Sequence, residues 1–161
     1  MRRGQPSPGD LAGMEGALRL ALAASVREEV PVGAIIVREG EVLAEAHNEM
    51  VLRGDPTAHA EILAIQRALA KVKSDRLSDA TLYVTLEPCA QCAGAMVLAK
   101  LSRVVFGAYD RRAGMAGSVF DLLRHPALNH GVEVIGGVMA EECGVVLKRF
   151  FLARRIELRG Q

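Results

Sequence analysis

The sequence predicts a single α/β domain in which helices cover both faces of a central sheet. The chain has 161 residues, a length at which one domain buries about 70% of the surface of its unfolded chain. Half of the residues are hydrophobic and 24% are charged, which excludes a disordered chain. Between residues 81 and 136 the pattern alternates as strand, helix, strand, helix, strand, which is typical of an α/β layer.

The first third of the chain predicts an arm, a helix and a hairpin. Residues 1–9 contain Pro and Gly and no apolar periodicity, so we expect a flexible N-terminal arm before a single domain at 10–161. Asp10 is the predicted cap of a helix whose apolar residues recur at helical spacing up to Val26. Residues 32–37 and 42–46 are two strands of a predicted hairpin, and residues 47–58 form a polar connection.

The remaining elements follow from apolar runs and the Pro residues between them. A helix begins near residue 59, and Ala60, Leu63, Ala64, Ala68 and Leu69 are its apolar core candidates. Strands are predicted at 81–86, 103–108 and 132–136, and helices at 89–100 and 141–157. The total is about five strands and five helices.

Composition excludes several classes of function. The 20 Lys+Arg balance the 19 Asp+Glu to a net charge of +1, unlike proteins that hold nucleic acid by bulk charge. Six aromatic residues and no Trp argue against an extended base-stacking platform. Three cysteines are too few for a disulfide scaffold and indicate metal or catalytic work in a reducing compartment. No signal peptide or membrane-spanning run is evident, so we expect a soluble, cytoplasmic protein.

Three residues form a predicted zinc site. Cys89 and Cys92 are spaced i, i+3 at the start of a predicted helix, where the two thiolates face one side. His59 supplies a third ligand from the start of the preceding helix, and the positive helix ends favour thiolates. Three protein ligands without a fourth are typical of a catalytic zinc site that keeps a position for water. A lone CxxC also occurs in redox motifs and zinc ribbons, but a ribbon needs a second cysteine pair and redox chemistry needs no His-x-Glu.

Glu61 adds a proton-transfer group to this site. It lies two residues after His59, beside the predicted metal and not needed as a ligand. Zinc lowers the pKa of its water to about 7, and a nearby carboxylate can take and return the proton. This pattern predicts hydrolytic deamination of an amidine-like carbon, with release of ammonia.

At these residues the chain resembles the cytidine/deoxycytidylate deaminase superfamily, whose signature is H-x-E followed by P-C-x-x-C. The resemblance is more specific to the bacterial tRNA-specific adenosine deaminases and extends from about residue 11 to about 157. It rests on VPVGA, DPTAHAEI, TLYVTLEPC, CAGAM, VVFGA and HPALNH at residues 30–34, 55–62, 81–89, 92–96, 104–108 and 125–130.

This resemblance implies a three-layer α/β/α fold with a central mixed five-stranded sheet, and a homodimer in which both subunits contact RNA. It implies that the wobble adenosine of a tRNA anticodon, of an arginine tRNA by analogy, is converted to inosine. Zinc-activated hydroxide would attack C6, with one zinc per subunit and Glu61 as the proton shuttle. No DNA partner is expected.

Further site residues come from the same resemblance. Asn48 would hydrogen-bond the flipped nucleoside, the backbone of Ala60 would read the base, and Val32 and Pro31 would line the pocket. Asn48 also fits a simple turn residue, and Pro31 and Val32 fit an ordinary strand entry. His47 and the loop at 109–112 differ from the family pattern, which bears on tRNA preference. Cys143 lies outside the signature, and we expect it to be a small buried apolar residue.

The charge distribution supports RNA binding at a local surface. Residues 10–61 have a net charge of −6, residues 100–124 of +3 and residues 148–161 of +4. Basic side chains in the last two segments fit phosphates, and aromatic side chains fit a splayed base. The candidate RNA contacts are Tyr109, Arg111, Arg112, Phe150, Arg154 and Arg155. Phe150 fits a core residue equally well, and basic residues also suit a helix C-terminus.

Two other functions remain open on the sequence alone. A deaminase of free purine or pyrimidine bases would use the same zinc chemistry, although it has little use for a basic C-terminal helix. A zinc-stabilised binding module without activity would need no carboxylate at Glu61. Small residues at 90 and 93–95 fit the dimer implied by the resemblance, but they fit packing within one subunit as well.

Overall fold

A mixed five-stranded sheet forms the centre of the computed structural model, which describes residues 5–161. The strands are β1 (Gly33–Arg38), β2 (Glu41–His47), β3 (Thr81–Leu86), β4 (Arg103–Ala108) and β5 (Glu133–Ile135). Their order is β2-β1-β3-β4-β5. Strand β1 pairs antiparallel with β2 and β3, whereas β3, β4 and β5 are parallel. The predicted mixed five-stranded sheet is therefore confirmed.

Helices cover both faces of this sheet. They are α1 (Pro8–Val26), α2 (Met50–Arg53), α3 (Ala60–Val72), α4 (Ala90–Leu98) and α5 (Ala140–Arg159). The alternation of side chains along each strand separates two cores. Ile35, Tyr83 and Val105 pack with α1 and α5 on one face, whereas their neighbours along the strands pack with α3 and α4 on the other. The result is the predicted three-layer α/β/α fold.

The predicted hairpin joins β1 and β2. Glu39 and Gly40 both have positive φ, 50° and 77°, which is the backbone of a tight turn that matches the twist of its strands. The register shifts between Ile36 and Val37, where a β-bulge lies. The hairpin places the start of β1 beside the end of β2, and the other edge of β1 pairs with β3.

The N-terminal boundary differs from the prediction. Helix α1 begins at Pro8, and its N-cap is Ser7, not Asp10. Asp10 is the third residue of the helix and its carboxylate accepts from the Ser7 amide, while the Ser7 hydroxyl accepts from Asp10. This arrangement is a capping box, in which Ser7 caps the helix and the carboxylate of Asp10, three residues later, accepts from the Ser7 amide. The predicted arm therefore cannot extend to residue 9, and residues 1–4 lie outside the described part.

Two further segments differ from the sequence-based prediction. The polar connection after β2 contains the short helix α2. No helix occurs between β4 and β5, where residues 109–132 form turns with one isolated bridge. Gly117, with φ of 127°, lies in this segment and favours turns over a helix. None of the helices within residues 5–161 combines the length and the apolar character needed to cross a bilayer.

Candidate active site

The His59, Cys89 and Cys92 side chains meet where two helices begin. His59 is the N-cap of α3 and Cys89 the N-cap of α4, both in extended backbone conformation. Cys92 lies in the first turn of α4. Strand β3 leads directly into the Pro88-Cys89 turn, so the group lies at the carboxyl end of β3, between the starts of the two helices.

The distances between these three side chains fit a tetrahedral metal. His59 Nδ1 lies 3.6 Å from Cys89 Sγ and 3.4 Å from Cys92 Sγ, and all three atoms lie within 4.8 Å of one another. Zinc bonds of about 2.3 Å to sulfur and about 2.0 Å to nitrogen at tetrahedral angles separate such atoms by about 3.5 Å. Two sulfurs and one nitrogen are also the donor set that zinc prefers. The residues therefore fit a zinc ion.

The cysteines have unequal proton affinities. A hydrogen bond from the Cys92 thiol, together with one from His59, lowers the pKa of Cys89 to about 4. The hydrogen bond to Cys89 raises the pKa of His59, and the Cys92 pKa is raised by its interaction with the Cys89 thiolate and by burial. Cys89 is thus a thiolate at neutral pH, and a metal would displace the proton that Cys92 holds.

Cys143 does not belong to this group. It is fully buried in the core between the sheet and α5, as the sequence predicts. Within residues 5–161 no second cluster of three His, Cys, Asp or Glu side chains could hold a metal. A zinc ribbon, which needs a second cysteine pair, is therefore excluded for this part of the chain.

Glu61 lies in the first turn of α3, beside the three ligands. Only 4% of its surface is exposed, and it lines the same cavity as His59 and Cys89. Burial raises the pKa of Glu61, which brings the carboxylate closer to the proton affinity that a general base needs near neutrality. Its position fits a group that exchanges protons with molecules in the cavity.

A cavity of about 210 Å³ opens beside the three-ligand group. Among the residues that the resemblance assigns to the substrate, Val32, Asn48 and Ala60 line it, together with His59, Glu61 and Cys89. Pro31 is not among the lining residues; it is buried, and Val30 lines the cavity instead. Successive residues at a strand entry point in opposite directions, so only alternate residues of this segment reach the cavity.

Asn48 is buried, and its side chain makes hydrogen bonds to two neighbouring segments of backbone. Its Oδ1 accepts from the Met50 amide at 3.2 Å, and its Nδ2 lies 3.4 Å from the carbonyl oxygen of Val30. Its own amide donates to Val32. The side chain is therefore a turn residue that is also held rigidly at the cavity wall.

The structure adds cavity residues that sequence reasoning missed. Val30, Met50, Leu86, Glu87, Asp110 and Ala113 also line the cavity. Glu87 is buried, and its carboxylate accepts from the amides of Asp110 at 2.9 Å and Ser118 at 3.0 Å. A Cβ at Gly114 would lie 2.0 Å from Glu87 Oε2, so the loop can close only around glycine. The sequence shows only that Glu87 directly precedes Pro88-Cys89, which could have marked the residue for attention but not its amide partners.

The candidate RNA contacts occupy two surfaces. Tyr109, Arg111 and Arg112 are exposed after β4, next to Asp110 at the cavity, and the Tyr109 ring packs edge-on against Phe106. Phe150, Arg154 and Arg155 lie on α5.

On α5, Phe150 is half-buried and Arg154 lies over its ring at 5.2 Å. Arg154 also donates to the backbone oxygen of Glu28 at 2.8 Å. His47 directly precedes the cavity residue Asn48, and its Nδ1 lies 3.0 Å from the Asn48 carbonyl oxygen.

Comparisons with known proteins agree with this geometry. The family model of the MafB19-like deaminases matches residues 10–155. A tRNA-specific adenosine deaminase of Bacillus subtilis (strain 168) is 46% identical over 138 residues, which cover 86% of each chain.

Solved structures extend this comparison to the fold. A structure from work on A-to-I editing by tRNA:A34 deaminases at the wobble position of transfer RNA has a TM-score of 0.81 and 39% identity. The match covers 84% of this chain and 99% of that one. A guanine deaminase from Nitrosomonas europaea shares the fold, with a TM-score of 0.76 and 23% identity over 92% of this chain and 86% of its own. The chain is therefore a MafB19-like deaminase and belongs to the family of tRNA-specific adenosine deaminases.

Proposed function

We propose that the protein converts adenosine to inosine at the wobble position of a tRNA anticodon. The observation that carries the proposal is the buried carboxylate of Glu61 beside a His, Cys, Cys group at a cavity open to a base. The relatives named for adenosine in tRNA supply the substrate class. The resemblance further favours an arginine tRNA, and the substrate places the enzyme in the cytoplasm.

The residues divide the chemistry of this reaction among them. His59, Cys89 and Cys92 would hold one zinc ion per subunit, which when bound supplies a Lewis acid that activates water at neutral pH. Glu61 takes a proton from the attacking water and delivers it to N1 of the base as the C6–O bond forms. The remaining hydroxyl proton then passes through Glu61 to the amino group, so that the C6–N bond breaks, ammonia leaves and the C6=O bond of inosine remains. Adenosine and water thus yield inosine and ammonia, with Glu61 regenerated.

Two further groups orient the base. Ala60 is the first residue of α3, and an amide at that position has no partner within its own helix. It can therefore donate to the base. The Asn48 side chain, fixed by Val30 and Met50, faces the same cavity and can hold the flipped nucleoside out of the anticodon stack.

RNA outside the cavity would contact two basic surfaces. Arg111 and Arg112 follow Asp110 at the cavity rim and can reach phosphates, and exposed Tyr109 can stack on a neighbouring base. Arg155 and Arg154 on α5 extend the positive charge of residues 148–161. This arrangement supports recognition of a folded loop in which one base enters the cavity.

We further propose that the protein is a homodimer that uses one face of α4. Ala90, Gly94 and Leu98 recur every four residues along this helix and are accessible to solvent. Leu98 is 78% exposed, and a Cβ at Gly94 would have no atom of residues 5–161 within 4 Å apart from its own helix backbone and chain neighbours. Small residues beside an exposed leucine permit the close approach of a second subunit. Ala93, in contrast, is fully buried within the subunit.

The decisive experiment replaces Glu61 by Gln. Deamination is measured by mass spectrometry as inosine formed in an anticodon stem-loop and as hypoxanthine, xanthine and uracil formed from free adenine, guanine and cytosine, with zinc content measured in parallel. We expect zinc to remain bound while stem-loop deamination falls at least about 100-fold, the minimum that proton transfer typically contributes.

Glu141→Gln is the matched control. Glu141 follows an alanine in the first turn of α5, as Glu61 does in α3, but it is exposed, and we expect full activity. Wild-type deamination of free bases alone would contradict the RNA substrate, and full activity of Glu61→Gln would contradict the mechanism.

A further inference from the structure

Glu29 is a buried carboxylate to which the proposed mechanism gives no role. It is 2% exposed and lies one residue before the cavity residue Val30. Its Oε1 accepts from the Val51 amide at 2.6 Å and from the Leu52 amide at 3.2 Å, and its Oε2 lies 3.2 Å from the Val51 amide. A carboxylate that accepts several amide hydrogen bonds away from water forms a strong tie.

Helix α2, whose amides this carboxylate accepts from, makes little apolar contact with the rest of the domain. Helix α2 has four residues, none of them buried, and its N-cap Glu49 makes no side-chain capping bond. Val51 and Leu52 are 67% and 68% exposed, so apolar packing contributes little to fixing them. Asn48 accepts from the Met50 amide and Arg67 of α3 pairs with the N-cap Glu49 at 3.5 Å, whereas the Glu29 carboxylate binds the two amides that follow, those of Val51 and Leu52.

The position of α2 is coupled to the cavity through its backbone. Met50, the first residue of α2, lines the cavity and donates its amide to Asn48 Oδ1. The Glu49 amide donates to the oxygen of Ala58 at 3.0 Å, and Ala58 directly precedes His59. A shift of α2 would thus move both Asn48 and Met50, whereas His59 is also fixed as the N-cap of α3.

We propose that Glu29 is a positioning residue for the proposed deamination: it fixes α2 so that Asn48 and Met50 form the cavity wall that receives the base. This inference rests on the proposed function. It predicts that the loss of Glu29 impairs use of the substrate without releasing the metal, because the ligands lie on other elements.

The test compares Glu29→Ala and Glu29→Gln with the wild-type enzyme. For each we would measure kcat and KM on an anticodon stem-loop, zinc content, and hydrogen exchange at the Val51 and Leu52 amides. We expect Glu29→Ala to lower kcat/KM about 10- to 100-fold, as small displacements of positioning groups do. Zinc content should stay constant while exchange at both amides accelerates. Glu29→Gln, whose side-chain oxygen still accepts, should recover part of the loss.

Asp10→Asn is the control for a general loss of stability. Asp10 is equally buried, but it contacts Arg103 at the start of β4, whereas the cavity lies at the other end of the parallel strands. We expect Asp10→Asn to lower stability while kcat/KM and exchange at Val51 and Leu52 stay unchanged. An Ala variant at Glu29 with kcat/KM within twofold of wild type, or an equal loss in Asp10→Asn, would overturn the proposal.

A readout without catalysis separates this inference from the proposed function. The side-chain amide resonance of Asn48 should shift in Glu29→Ala and not in Asp10→Asn. If the wild-type enzyme makes no inosine, the proposed function fails, and this resonance still decides whether Glu29 positions Asn48. An unchanged Asn48 resonance in Glu29→Ala overturns the inference.

Discussion

Arg154 and Arg155 are neighbours in sequence with different surroundings. Arg154 is engaged within the protein, because it donates to the Glu28 carbonyl and lies over the Phe150 ring. Arg155 is exposed, and the only hydrogen bond of its side chain within the described residues is a long one, 3.4 Å, to the Phe151 carbonyl on its own helix. The Arg155 guanidinium is therefore more available than that of Arg154 to contact a phosphate, because only one long hydrogen bond must break.

Replacing Arg155 by Ala should weaken binding of the stem-loop and lower its dependence on salt. Each phosphate contact to a single strand contributes about 0.7 to the slope of log K against log salt concentration, so the slope should fall by about that amount. Fluorescence anisotropy over a salt series measures both quantities. Arg76→Ala is the control, since Arg76 is exposed beyond the end of α3 that lies away from His59. An unchanged slope in Arg155→Ala would remove Arg155 from the RNA surface.

At the scale of elements, the carboxylate of Asp10 links α1 to two strands of the sheet. Asp10 is 1% exposed and forms a paired contact with the Arg103 guanidinium, of which the Nη2–Oδ2 distance is 2.8 Å. The Tyr83 hydroxyl donates to the same carboxylate at 3.2 Å. Hydrogen bonds from Arg103 lower the pKa of Asp10 from 3.8 to about 2. The helix, the start of β4 and the middle of β3 thus share one ionised group.

This pKa shift predicts how stability depends on pH. A carboxyl group with a lower pKa in the folded state stabilises the fold above its unfolded pKa, and that contribution is lost as pH falls from about 4 towards 2. The shift corresponds to about 2 kcal/mol. Asp10→Asn should lower the melting temperature at neutral pH by about 4–8 °C and reduce the fall in unfolding free energy between pH 4 and 2.

Urea unfolding over this pH range measures the effect. Asp75→Asn, at a side chain that is 93% exposed, should leave the pH dependence as it is in the wild type. An Asp10→Asn variant whose stability falls with acid as steeply as that of the wild type would contradict the assignment to Asp10.

For the whole molecule, the exposed stripe of α4 predicts how subunits associate. Leu98→Glu places a charge on the face formed with Ala90 and Gly94, and a buried charge without a partner costs several kcal/mol in an interface. We expect this variant to sediment as a monomer where the wild type sediments as a dimer. Val26→Glu on α1, at an equally exposed apolar residue, should leave the dimer intact. If Leu98→Glu remains dimeric, the interface lies on another face.

Much of the fold and of the candidate metal site could be predicted from the sequence because their signals are local. The strands at 81–86 and 103–108 have the predicted bounds, since each is a short, nearly continuous apolar run, and Pro88 follows the first of them. His59, Cys89 and Cys92 come together because short spacings place them at the starts of two helices. The prediction of Asp10 as the N-cap of α1 was wrong because Ser7 and Asp10 are both good capping residues, and only the hydrogen bonds between them show which one is the cap.

The sequence alone determined which side chains are available for chemistry, namely the histidine and cysteines that can bind a metal and the carboxylate two residues after His59. It also determined the apolar periodicities that predict strands and helices. Only the tertiary structure decided the walls of the cavity. Glu87 and Asp110 line the cavity, and Glu29 directly precedes its lining residue Val30. These carboxylates come from distant parts of the chain, and the sheet order β2-β1-β3-β4 brings their segments to one edge. Their partners are backbone amides, which every residue except proline carries, so no sequence pattern specifies which amides a buried carboxylate will hold.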